Sequence, residues 1–222
     1  MKVSEQLLEY VEQIWQKYYT HPFILGIQDG NLDKEKFKYY ILQDYVYLID
    51  YCKVFAIGIA KATSFKQMQL FSSYVTLLTE AEMEDVHSGY MAKLGVTETE
   101  LKETKPSFEN LAYTSYMQRI AYEGGEAEIM AAILSCAVSY EYISKKIVEN
   151  NPKAIEDEFY GDWIKGYTSE RYTSENKVLL DNIDQLTLHY TEKQIEHLKE
   201  IFRICSLYEL AFWDMAYQEK HL

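Results

Sequence analysis

Three helical stripes in this sequence carry groups that could do chemistry. Phe37, Tyr40, Asp44, Tyr47 and Tyr51 recur at spacings of three and four, which puts a carboxylate in the middle of an aromatic helix face. Ile129, Ile133, Cys136, Tyr140 and Ile143 form a second stripe, where a thiol and a phenol lie one turn apart. The third reads Phe202, Cys205, Glu209, Phe212, Trp213 and Ala216, so Glu209 has a thiol a turn before it and an indole a turn after. A thiolate is both a nucleophile and a leaving group. A glutamate held against aromatic surface is driven towards its protonated form by desolvation, which suits a general acid near neutral pH. Each stripe also has a plain structural reading. Asp44 could pair with a lysine or a tyrosine hydroxyl at the stripe's edge, Cys136 could simply pack, and Glu209 could reach the surface or a salt bridge.

Metal chemistry has thinner support. Glu84-x-x-His87, with Glu80 and Glu82 nearby, has the spacing by which ferritin-like bundles ligate iron. Such sites need a second pair of this kind, and His21, His189, His197 and His221 each lack a Glu three residues before them. A helix-surface acid cluster accounts for these residues. No G-x-S-x-G, P-loop or G-x-G-x-x-G occurs, so those chemistries have no local signature.

The elements that must position these groups are all helical. Ser4 is placed to cap a first helix to Tyr19, and His21-Pro22 breaks it. Asp33 caps a long helix to about Ala62, and Ser64 opens another to about Lys93, where Gly95 is a left-handed stop. Thr97 to Thr104 reads as a short helix or turn. Pro106 opens a helix that ends at Gly124-Gly125, and the next runs from Glu126 to Asn150. Further helices are expected over Ile155 to Tyr167, from Thr173 or Ser174 to Tyr190, and from Thr191 to Gln218. No two-residue period persists over a strand length, and no repeat or linker divides the chain. The expectation is one all-α domain over residues 1–222, a single-domain helical bundle.

Composition narrows the function. With 22 Lys+Arg against 35 Asp+Glu, the formal charge of −13 repels phosphate backbones, so no nucleic-acid partner is expected. The longest apolar stretch, Ile129 to Val138, is too short to cross a bilayer, and no leader pattern opens the sequence. Cys52, Cys136 and Cys205 are odd in number and widely spaced, as in a cytoplasmic protein with reduced thiols. The 21 tyrosines are more than a bundle core requires. Buried phenols need hydrogen-bond partners, so they point either to a polar aromatic cavity or to half-exposed helix edges.

Read together, these residues resemble the TenA/thiaminase II family over essentially the whole chain. The resemblance is carried by His21-Pro22-Phe23, Gln43-Asp44 with Tyr47-Leu48, and Ala112-Tyr113-Thr114-Ser115. It continues through Cys136-x-x-x-Tyr140-x-Tyr142, Trp163-Ile164-x-x-Tyr167, and Tyr208-Glu209-x-x-Phe212-Trp213-x-Met215-Ala216. The resemblance implies a haem-oxygenase-like fold, a homotetramer and an aminopyrimidine aminohydrolase that needs no metal or organic cofactor. Its substrate would be 4-amino-5-aminomethyl-2-methylpyrimidine, converted to the hydroxymethyl compound, with thiamine as a second substrate cleaved to pyrimidine and thiazole. On the same resemblance Cys136 is the nucleophile and Glu209 the proton donor. Asp44, Tyr140 and Tyr167 bind the pyrimidine, and Tyr47 and Tyr113 keep the thiol nucleophilic.

The run Ser135-Cys136-Ala137-Val138-Ser139 departs from the proline before the cysteine and the aromatic shortly after it that many relatives have. That departure implies a straighter helix at the nucleophile and a wider pocket. Two other functions stay open on this fold. One is a non-catalytic regulator acting through protein or ligand binding, and the other is a haem or di-iron oxygenase.

Overall fold

The computed structural model describes residues 1–80 and 88–220, and these are helices joined by short turns with no strand among them. The helices are α1 (Val3–Tyr19), α2 (Pro22–Gln28), α3 (Lys34–Lys61), α4 (Phe65–Leu77), α5 (Ser88–Lys93) and α6 (Glu98–Glu103). They continue with α7 (Phe108–Glu123), α8 (Glu126–Asn150), α9 (Gly161–Thr168), α10 (Glu170–Leu186) and α11 (Glu192–Gln218), with a 3-10 turn over Pro152–Glu156. Two compact units are built from them. One is Met1–Leu32 with Met130–Trp213, and the other is Asp33–Ile129 with Asp214–Leu222. The expected all-α class stands.

In the first unit, α1 packs against α2 and α10, and α9 packs against α10 and the 3-10 turn. Its core includes Val11, Trp15, Tyr18, Ile133, Trp163 and Phe202, all buried. Ser4 does not cap α1. It lies inside the helix, and its hydroxyl donates to Asp184 at 2.9 Å, a long-range partner that local spacing cannot show. Pro22 ends one helix but also begins the next, which sequence reading missed. Proline suits a helix's first position, where its absent N–H costs nothing, and His21 Nδ1 accepts from the Phe23 amide at 3.1 Å.

The helix expected over Ile155 to Tyr167 is divided. Asp157 takes the Phe159 and Tyr160 amides on one carboxylate oxygen, at 2.9 and 2.6 Å, and so closes a turn between the 3-10 segment and α9. Gly161 starts α9 because a Cβ there would meet the Ile155 carbonyl oxygen at 2.6 Å. Tyr160 donates to the Leu32 carbonyl at 2.6 Å and anchors the turn that aims Trp163 and Tyr167. Ser169 caps α10 by accepting from the Tyr172 amide at 3.2 Å. The expected caps, Thr173 and Ser174, lie inside that helix and donate back to the Glu170 carbonyl.

In the second unit α3 packs against α4, α5 and α7. Asp33 caps α3 by accepting from the Glu35 amide at 2.9 Å, as its type predicts. Ser64 caps α4, which ends at Leu77, and α5 runs over Ser88–Lys93. The middle of the helix expected from 64 to 93 lies outside the described residues, together with Glu82, Glu84 and His87. Gly95 has φ +64°, with Val96 N–H on the Met91 carbonyl at 2.9 Å and Gly95 N–H on Ala92 at 3.2 Å. That is the left-handed helix stop expected of it. Pro106, expected in the first turn of α7, lies just before it, and Ser107 caps the helix by accepting from the Asn110 amide at 3.2 Å.

Candidate functional site

In the first unit, α8 runs unbroken through Ser135 and Cys136. Its one-turn spacing turns Cys136 and Tyr140 to the same side, and both are buried. The Tyr140 ring sits in an aromatic cluster, with centroids 4.8 Å from Tyr167, 5.3 Å from Trp213 and 5.9 Å from Trp163. Trp163 and Tyr167 meet edge to face at 4.9 Å, one turn apart on α9. These rings come from α8, α9 and α11, and together they form one buried aromatic cluster that carries two phenol hydroxyls.

The backbone beside the thiol is held from α10. Tyr172 donates its hydroxyl to the Ala137 carbonyl at 2.8 Å, and Asn176 donates to the same oxygen at 3.0 Å. Asn176 also donates to Glu141 at 2.7 Å. Tyr172 in turn packs edge to face on Tyr167 at 5.1 Å. One set of contacts therefore fixes both the aromatic cluster and the turn of α8 that carries Cys136.

From α11 come Cys205, Glu209 and Trp213, all buried, with Glu209 only 2% exposed. Burial first, and then the Glu209 charge, pushes the Cys205 thiol well above its usual value, so it stays a neutral packing group. Tyr18 of α1 is fully buried and donates to the Ser206 carbonyl at 2.6 Å. Its phenol is raised well above the ordinary value by burial and then by the Glu209 charge, with smaller additions from Cys205 and Cys136, partly offset by the Ser206 side-chain hydroxyl.

Asp44, Tyr47 and Tyr113 belong to the second unit, and all three are buried. Tyr47 and Tyr113 bring their rings to 5.3 Å, and Tyr47 directs its hydroxyl to the Met117 sulfur at 3.9 Å. The α3 turn that carries Asp44 is pinned to α7. Gln43 donates to the Lys105 carbonyl at 2.9 Å and accepts from the Ser107 amide at 2.9 Å. Asn110 donates to the Gln43 carbonyl at 2.8 Å and to its side-chain oxygen at 3.1 Å. Leaving either buried amide without these partners would cost about 1–3 kcal/mol, so the register of α3 on α7 is strongly specified.

Four of the expected site residues, Cys136, Tyr140, Tyr167 and Glu209, therefore share the first unit, and three share the second. Sequence reading missed Tyr18, Trp15's polar role, Ser206, Tyr172 and Asn176, and it noted Ser135 only as a departure from proline, not as a partner of Ser206. Tyr18 had a usable signal, since it follows Val11 by seven and Trp15 by three on the buried face of α1. Among the described residues no group of three His, Cys, Asp or Glu side chains is placed to hold a metal, and no helix is long and apolar enough to cross a membrane.

Comparison with known proteins is consistent over nearly the full length. A family model described as TENA/THI-4/PQQC matches residues 8–219. A Helicobacter pylori protein named aminopyrimidine aminohydrolase is 41% identical, covering 98% of this chain and 100% of its own. A protein of the same name from Halalkalibacterium halodurans is 38% identical, covering 99% of this chain and 97% of its own. The solved TenA homologue from P. horikoshii OT3 superposes with a TM-score of 0.88 at 31% identity, covering 98% of this chain and 99% of that one.

Proposed function

Because the chain belongs to the TENA/THI-4/PQQC family, we propose that it is an aminopyrimidine aminohydrolase of the thiaminase II type, hydrolysing 4-amino-5-aminomethyl-2-methylpyrimidine to its hydroxymethyl counterpart. The observation that carries this reading is the position of Cys136 one turn before Tyr140, whose ring packs on Tyr167, Trp163 and Trp213. The name shared by the two bacterial relatives supports it. The haem-oxygenase-like helical fold suits it as well.

The chemistry follows from the residue types. The Cys136 thiolate adds to a carbon of the pyrimidine ring while Glu209, as the acid, protonates a ring nitrogen and takes up the electron pair's charge. Addition breaks the ring's aromaticity, and the exocyclic methylene then expels its amine, which leaves as ammonia. Water adds to the methylene and gives up a proton. The carbon–sulfur bond then breaks, thiolate departs, and the ring nitrogen gives its proton back to the Glu209 carboxylate as aromaticity returns. The net change is one water consumed and one ammonia released. Asp44 accepts a hydrogen bond from the ring's amino group. Tyr140 and Tyr167 offer faces and hydroxyls to the heterocycle, while the Tyr47 and Tyr113 hydroxyls favour the nucleophilic form of the thiol.

The same reading extends to thiamine as a second substrate, cleaved to pyrimidine and thiazole. It makes the protein a cytoplasmic homotetramer with residues 1–222 as one family domain, which the match over residues 8–219 supports. Nucleic acid is no partner on this reading, in keeping with the charge of −13. The test is to incubate purified protein with the aminomethylpyrimidine and with thiamine, reading products by liquid chromatography and mass spectrometry. Hydroxymethylpyrimidine and ammonia in equal amounts are expected from the first. A protein that binds the pyrimidine without turning it over would overturn the enzymatic reading in favour of a regulator.

A further inference from the structure

A buried hydrogen-bond clamp lies just beneath the two residues assigned to the chemistry. Ser135 and Ser206 are both fully buried, and their hydroxyls meet at 3.1 Å, joining α8 to α11. Trp15 of α1 donates its indole N–H to the same Ser206 oxygen at 3.1 Å. Tyr18, one turn along α1, donates to the Ser206 backbone carbonyl at 2.6 Å. The Ser206 hydroxyl has one proton to give and two lone pairs, and these two contacts occupy it with an indole that only donates and a second hydroxyl. Ser135 immediately precedes Cys136, and Ser206 precedes Glu209 by three, on the same side of α11.

Apolar side chains between two helices would hold them together but tolerate a small slide along their axes. A fully satisfied buried hydrogen bond does not, because a shift that lengthens it strands polar groups away from water. A core can be filled with apolar side chains alone, so two serines facing one another here, with the Trp15 indole N–H committed to one of them, are better explained by the register they set than by the modest net stability of their bonds.

We propose that Ser206 is a positioning residue for the hydrolysis: clamped between Trp15 and Ser135, it fixes the register of α11 against α8 and so holds Glu209 at a set place relative to Cys136. What that register serves rests on the aminopyrimidine aminohydrolase reading. The raised Tyr18 phenol, which feels Glu209, Cys205 and Cys136 at once, fits a clamp located at this crossing.

Ser206→Ala and Ser135→Ala test it together, the second being milder because it leaves the Trp15 bond to Ser206 in place. Both should lower kcat on the aminomethylpyrimidine by about ten- to a hundredfold, as small misplacements of reacting groups do. KM should stay within about twofold, because the loss falls on the transition state. Ser135→Thr, which restores a hydroxyl, should recover kcat. The pH profile of Cys136 alkylation by iodoacetamide, followed by peptide mass spectrometry, should be displaced in both alanine variants. That readout needs no turnover. A wild-type protein inactive on the pyrimidine therefore sinks the functional reading, while the alkylation profile still decides the clamp. Unchanged alkylation profiles overturn the proposal, whether kcat is intact or falls only in step with the melting midpoint.

Discussion

The rings of Tyr140 and Tyr167 stand 4.8 Å apart, centroid to centroid, with their planes tilted by 52°. Neither lies flat on the other, so each keeps contacts elsewhere, Tyr140 with Trp213 and Tyr167 with Trp163 and Tyr172. Rings held from several sides have little rotamer freedom. Their hydroxyls are then held by the surrounding packing, as the proposed recognition of a flat ligand requires.

Tyr167→Phe separates the ring from its hydroxyl. The aromatic packing survives, so the melting midpoint should hold. Affinity for the hydroxymethyl product should weaken by about two- to twelvefold, the worth of one ordinary hydrogen bond. Calorimetry reads this directly, and unchanged affinity would leave Tyr167 a packing residue only.

Cys136→Ala should abolish turnover while leaving fold and product binding largely intact, since exchanging a thiol for a methyl on a packed stripe changes little volume. Cys205→Ala and Cys52→Ala should keep turnover. Burial raises both thiols, which lowers their thiolate fraction at neutral pH, and Glu209 adds to the effect at Cys205. Equal activity of Cys136→Ala and wild type would sink the covalent mechanism.

Asp44→Asn should weaken product binding by about 5- to 150-fold, because an amide presents a donor where the ring's amino group needs an acceptor, a mismatch worth about 1–3 kcal/mol. The Gln43–Asn110 contacts that hold this turn of α3 are untouched by the change. A loss of affinity can then be read as recognition, provided the melting midpoint is unmoved. An unaltered dissociation constant would put Asp44 outside the binding surface.

The second unit also carries a pH-dependent contact. Glu100 is held down to about 2, first by its hydrogen bond from Lys38 and then by the Thr97 backbone and side chain. A carboxyl lowered on folding stabilises above its ordinary value of 4.5 and loses that contribution as pH falls towards about 2. Hydrogen-exchange protection of α6 should therefore decline over that window. In Glu100→Gln it should already be reduced at neutral pH and vary little between those limits. Equal profiles for the two proteins would mean the contact does not hold α6.

Candidate residues were legible because helical period exposes an odd residue on an apolar face, while the roles assigned to them came from the family resemblance. Asp44, Cys136 and Glu209 each stood out in this way, and Gly95 announced its helix end through its backbone freedom. What could not be read depends on distant partners. Ser135 and Ser206 are 71 residues apart, and a lone serine on a buried stripe looks like filler until its counterpart is seen. Ser4 looked like a cap because its partner, Asp184, lies 180 residues away. Pro22 was read as a break when it also begins α2, since the same fixed φ serves both. Local types reveal which groups are available. Only the fold decides which of them meet.

Glu209→Gln bears on the step that joins α11 to the chemistry. Gln keeps the shape and hydrogen-bonding reach of the side chain but cannot transfer a proton. General acid catalysis is typically worth about 10²–10⁴-fold, and kcat should fall by an amount in that range. Affinity for the hydroxymethyl product should change far less, because the acid acts mainly in the transition state. The sign of the pH dependence follows from the working form. The protonated acid does the work, so the wild-type rate should drop as pH rises and Glu209 ionises, and the residual activity of the Gln variant should lack that alkaline limb. Equal losses in binding and rate would recast Glu209 as a group that positions the ring. No loss in either would leave its burial beside Tyr18 and Cys205 as packing alone.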